Sequence, residues 1–133
     1  MGYRSEVAYT INFRDKHLRD AYVALVLAKD DKHLSDALAE CYVPKNEPRI
    51  CFHTDHYKWY HDYPEVQAHT TLYKWARVLY GDDCDYRIVR IGEESNDVEE
   101  AYTGGDLDDF EDCYVNSMIE TSFPKDYREE NEE

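Results

Sequence analysis

Between Glu93 and Asp112 the chain has no lysine, arginine or histidine, although ten of those twenty residues are acidic. Such a stretch is unsuited to DNA or anionic lipid, whose charge would repel it. Long apolar runs are missing as well. None approaches the ~18–20 residues of a membrane-spanning helix, and the first residues carry no apolar core of a secretory signal, so a cytosolic protein is expected. Cys41, Cys51, Cys84 and Cys113 form no C-x-x-C pair. That excludes the familiar zinc spacings, and in a reducing compartment the expectation is four free thiols used mainly for packing. Catalytic signatures are equally scarce: there is no G-x-S-x-G, no P-loop, no dinucleotide fingerprint and no cysteine set beside a histidine in a known pattern. A basic, aromatic nucleic-acid surface is lacking too, since Lys58 and Lys74 beside Trp59 and Trp75 are few against thirty acids.

What is present is a strong division of charge. Residues 1–80 hold 11 basic and 11 acidic side chains, whereas residues 81–133 hold 4 basic and 19 acidic, so the second half carries the whole net charge of −15. Charge asymmetry of this kind bears on partners and solubility rather than on fold. A compact domain of this length is about 35 Å across, a distance over which B-DNA carries on the order of 20 phosphates. The nineteen carboxylates match that number, which permits mimicry of a duplex. The plainer account of a charge-dense segment is that it is solvated.

The remaining composition supports a single folded domain, because 133 residues with 42% apolar content can bury one core. Tyr3, Ser5, Val7, Tyr9, Ile11 and Phe13 alternate with Arg4, Glu6, Ala8, Thr10 and Asn12, the signature of a half-buried strand in a sheet covered on one side. Asn12 is a candidate cap for the following helix. In that helix Leu18, Ala21, Tyr22, Leu25 and Ala28 keep helical spacing, and Val23, Val26 and Leu27 widen the apolar arc, so deep burial is expected. A second helix follows Asp30 and Asp31, with Leu34, Ala37, Leu38 and Cys41 at i, i+3, i+4 and i+7. Arg49–Thr54 reads as a strand and His56–Tyr63 as a second short one. Pro64 and Gly81 bracket a third helix carrying Ala68, Leu72, Trp75, Ala76 and Leu79. Tyr86–Ile91 has the pattern of a central strand, Val98–Tyr102 of an edge strand, and Tyr114–Thr121 of a final strand. The fold class is therefore α+β, a single domain over residues 1–123 with a mainly antiparallel sheet and about three helices on one face, in the manner of a ferredoxin-like variant. Residues 124–133 are expected to form a mobile acidic tail.

Two clusters carry ligand-type residues. His53, Asp55, His56, His61 and Asp62, with His69 nearby, suit a small metal-dependent hydrolase, but no third ligand falls at a recognised spacing and solvated or tyrosine-bonded histidines are the favoured account. The run GGDLDDFED departs from a calcium loop because Phe110 takes a ligand position and no glycine follows it. No catalytic residue, metal or cofactor is assigned. The aromatic segment 57–63 reads as core plus loop, with an interface in a homodimer as the alternative.

The segments MGYRSEVAYTINF, KWYHDYPEVQAH at 58–69 and RIVRIGEE at 87–94 resemble a group of small bacteriophage proteins that open with an MGYRS-V strand. The resemblance covers roughly residues 1–100 and supplies no catalytic motif. It implies a phage-encoded accessory protein acting in the bacterial cytoplasm. The expected function is a non-enzymatic inhibitor that binds a basic, nucleic-acid-handling host or defence protein, such as a CRISPR effector, nuclease or polymerase. Glu93, Glu94, Asp97, Glu99, Glu100, Asp106, Asp108, Asp109, Glu111 and Asp112 would meet the partner's cations, and Tyr102, Phe110 and Tyr114 would serve as anchors. A structural or assembly module is the alternative.

Overall fold

Val7, Tyr9, Ile11 and Phe13, each no more than 2% exposed, place strand β1 (Ser5–Phe13) at the centre of the molecule. The computed structural model describes residues 3–94, 96–103, 113–115, 119–125 and 127. In chain order β1 is followed by α1 (Lys16–Ala28), α2 (Lys32–Ala39), β2 (Arg49–Tyr57), α3 (Pro64–Tyr80), a short 3₁₀ turn, β3 (Cys84–Ile91) and β4 (Val98–Tyr102). A separate hairpin of β5 (Cys113–Val115) and β6 (Ile119–Thr121) comes last. The main sheet has the order β2-β1-β3-β4 with every pair antiparallel. The protein is thus a single α+β domain with a four-stranded antiparallel sheet and three helices. Since β2 and β3 both run against β1, they are parallel to each other, and β2-α3-β3 is a split β-α-β unit of the kind used in ferredoxin-like folds. The order β-α-α-β-α-β-β lacks the second such unit of that fold.

Helix α1 starts later than Asn12 suggests. Asn12 stays in β1, paired with Arg49 and Asp85, and Asp15 provides the cap by accepting from Leu18 N at 2.9 Å. The helix is also less buried than its apolar arc implies: Arg19, Tyr22 and Val26 face inward, while Leu25 and Leu27 are exposed. The reason is geometric, since the helix meets the sheet and its neighbouring helices along one narrow contact stripe. Asp31 caps α2 in the same way, and α3 spans Pro64 to Tyr80 with Gly81 as its C-cap at φ 56°.

No second strand forms over residues 56–63. β2 runs on to Tyr57 through a bulge, because Ser5 and Val7 on β1 are matched by Tyr57 and Thr54, leaving one extra residue on β2 at a point where His56 adopts φ 56°. Beyond it the chain turns, and Trp59 packs against Phe52 and the ring of His69.

The sheet is covered on both faces, contrary to the expectation of one. On the face opposite the helices, Ala8, Cys51 and Val89 are sealed by Ile119, Phe123 and Tyr127, all buried. The small Ala8 and Cys51 make β1 look polar on this side yet leave room for the large residues of a cover. Tyr127 is anchored as well, 1% exposed with its hydroxyl donating to Glu40 O at 2.7 Å. Residues 128–133 lie outside the described residues. Cys41, Cys51 and Cys84 are buried and in no disulfide, and burial pushes the Cys84 thiol up to about 12.

Candidate functional site

The first half of the acidic segment, as far as Tyr102, enters the fold in the β3–β4 hairpin, and its register decides where those carboxylates go. Arg90 on β3 stands opposite Glu99 on β4, Val89 opposite Glu100 and Arg87 opposite Tyr102. Because side chains alternate along a strand, Glu99 lies on the helix side of the sheet and Glu100 and Tyr102 on the other.

Arg90 organises the turn between the strands. Its guanidinium donates to both oxygens of Asp97, at 3.1 and 2.7 Å, to Glu99 Oε1 from Nε at 3.1 Å, and to Ser5 Oγ at 3.0 Å. Tyr3 donates its hydroxyl to Asp97 at 2.7 Å and accepts from Glu94 N at 2.9 Å. Gly92 N closes the turn on Asp97 O at 2.8 Å. A Cβ at Gly92 would come within 2.1 Å of an Asp97 carboxylate oxygen and 2.3 Å of the Tyr3 hydroxyl, so any other residue there would displace this knot. The Arg90 and Tyr3 contacts hold the Asp97 carboxyl below its usual range. Burial works against the charge of Arg90, but Asp97 and Glu99 outweigh it and hold the guanidinium above its ordinary value. On the other face Arg87 lies 5.5 Å from the Tyr102 ring centroid and 3.9 Å from Glu100.

The structure therefore brings Asp97, Glu99, Glu100 and Tyr102 together at one edge of the sheet, with Glu93 and Glu94 exposed in the adjoining turn. Tyr114 lies on β5, paired with Glu120. Asp106, Asp108, Asp109, Phe110, Glu111 and Asp112 lie outside the described residues. The cations nearest the carboxylates are underneath them: side-chain exposure is 10% for Arg90 and 7% for Arg87, against 31% for Asp97, 55% for Glu99 and 43% for Glu100.

The histidines go to separate places. His53 Nε2 is 2.8 Å from Glu6, which also accepts from Ile119 N at 3.2 Å and so ties down the C-terminal hairpin. His56 and His61 are exposed. His69 is fully buried, with Nδ1 2.7 Å from the Tyr9 hydroxyl and Nε2 2.9 Å from Glu40 Oε1, and the Tyr9 hydroxyl also lies 3.4 Å from Cys41 Sγ. Burial raises the Tyr9 phenol well above its usual range. This Glu40-His69-Tyr9 chain has no sequence signal, since its members are 29 and 60 residues apart along the chain. Without exposed surface at His69 or Tyr9 it cannot meet a substrate, and its effect is to fix one packing of the core. Among the described residues, no group of three histidine, cysteine or acidic side chains gathers as a metal site requires.

No family model matches the chain, and no curated protein or solved structure is detectably similar to it. The resemblance to the bacteriophage group accordingly rests on the quoted segments alone.

Proposed function

We propose that this chain is a non-enzymatic binding protein that docks its β3–β4 edge onto the basic surface of a nucleic-acid-handling protein, a host or defence nuclease, polymerase or CRISPR effector. The observation that carries this reading is the layering of charge. Arg90 on the helix side and Arg87 on the opposite face of β3 hold Asp97, Glu99 and Glu100, whose side chains are the more exposed members of each pair. Glu93, Glu94, Asp97, Glu99 and Glu100 outnumber those two arginines, so the edge stays three charges negative by sequence count. Val98 and Tyr102, 41% and 54% exposed, supply apolar surface among the acids. An aromatic anchor within a charged rim is the composition of an energetically productive interface, and unlike charge would speed association in a salt-sensitive way.

The test is capture from bacterial lysate by the protein and by a variant with Glu93→Lys, Glu94→Lys and Glu100→Lys, which leaves the Arg90 knot intact. The wild-type protein is expected to retain a basic nucleic-acid-binding protein that is released by salt and displaced by duplex DNA, and the variant to retain none. Recovery of the protein alone, or equal retention by the variant, would overturn the proposal.

A further inference from the structure

A groove of about 420 Å³ runs between α3 and the β3–β4 pair, a volume within the range of small-molecule sites. Its floor is aromatic, with Trp59 at one end and the rings of Tyr73 and Tyr86 4.7 Å apart. Its walls carry opposite charge. Lys74 lines the α3 side and Glu99 the β4 side, where the register turns Glu99 toward the helices. The charge of Glu99 is felt in the groove: burial first, then Tyr86 and Glu99, push the Tyr73 phenol above its usual range against a hydrogen bond with Thr70.

The two walls do not neutralise each other. Lys74 makes no ion pair among the described residues, and Glu99 turns to Arg90. Arg90 lines the groove beside Glu99 but is shared with Asp97 behind it, and Glu100 lines the same side, so the carboxylates at this wall outnumber its one guanidinium. A purely anionic ligand would be repelled by that wall and a purely cationic one by Lys74. The complement of this arrangement is a molecule carrying both charges on an apolar planar body.

We propose that the groove binds a small aromatic zwitterion, of the free aromatic amino acid class. Its charged head spans the gap, carboxylate toward Lys74 and ammonium toward Glu99, and its ring lies on the floor of Tyr73, Tyr86 and Trp59. Offset and edge-on ring contacts favour such a ligand beyond simple burial, and each charged end gains a charge-assisted hydrogen bond. The groove shares Val98, Glu99 and Glu100 with the docking edge, but the three substitutions that test docking leave Lys74 and Glu99 in place.

The experiment is a titration of the isotope-labelled protein followed by amide chemical shifts, with L-phenylalanine, phenethylamine and 3-phenylpropionate as probes. The last two each lack one charge of the first. L-Phenylalanine is expected to give saturable shifts at Lys74, Tyr86 and Glu99, and to bind about tenfold or more tightly than either analogue. Lys74→Gln should bring its affinity down to that of phenethylamine, and Glu99→Gln down to that of 3-phenylpropionate. Asp97 still holds Arg90 in the second variant, and an unchanged amide spectrum outside the groove verifies the fold in both. Absence of saturable shifts, equal affinity for the three probes, or shifts confined to another surface would overturn the proposal.

Discussion

Arg90 makes its contacts only because the hairpin register sets it opposite Glu99 and the turn returns Asp97 to the same guanidinium. A pH dependence follows. The Asp97 carboxyl is held below its ordinary value of 3.8 in the folded protein, so the stability it contributes is fully present above about 3.8 and is lost as pH falls through the lower, folded value. The stability difference between the protein and Asp97→Asn, measured by urea unfolding, is expected to be constant near neutral pH and to shrink below about pH 4. A difference that grew on acidification would contradict the assigned contacts. Little of this was legible in the chain, because alternation identifies strands while the partner of each residue depends on register. The pattern places Arg90 and Glu99 in strands and says nothing of their meeting. The Tyr9-His69-Glu40 chain was hidden for a similar reason, its three residues coming from a strand, a helix and a helix end.

The elements with their own local punctuation were readable. Strict alternation marked β1, Pro64 and Gly81 marked α3, and the edge position of Val98–Tyr102 agrees with its two exposed acids, which also discourage unwanted strand pairing. The C-terminal cover was not readable, because its aromatic residues sit in an acidic run and find their contacts 74 positions away in sequence. Tyr127 should matter for stability in proportion to what it buries. Tyr127→Phe removes only the hydroxyl, which donates to Glu40 O and accepts from His53 N, and is expected to cost about 1–2 kcal/mol. Tyr127→Ala also uncovers Tyr42 and Phe123, whose rings it meets at 5.5 and 6.3 Å, and is expected to cost about 3–5 kcal/mol by chemical denaturation. Equal, small effects would mean that the cover contributes little.

For the whole molecule, a net charge of −15 on one small domain means self-repulsion that the local ion pairs only partly offset. Raising ionic strength from about 0.01 to about 0.15 M shortens the screening length from about 30 to about 8 Å. The melting temperature should therefore rise, by about 4 °C for each kcal/mol of repulsion relieved. A fall would show that the Arg90 and Arg87 pairs outweigh the long-range term. The overall class, an α+β domain with an acidic second half, could be read from composition and periodicity, whereas the covered second face of the sheet could not.

The central strand has a consequence for biogenesis. β1 takes its two neighbours from residues 49–57 and 84–91, so it leaves the ribosome well before either partner strand has been translated. At about 5–20 residues per second, a segment holding Val7, Tyr9, Ile11 and Phe13 stays unsatisfied for several seconds, and nascent chains stalled before residue 84 would present it to chaperones.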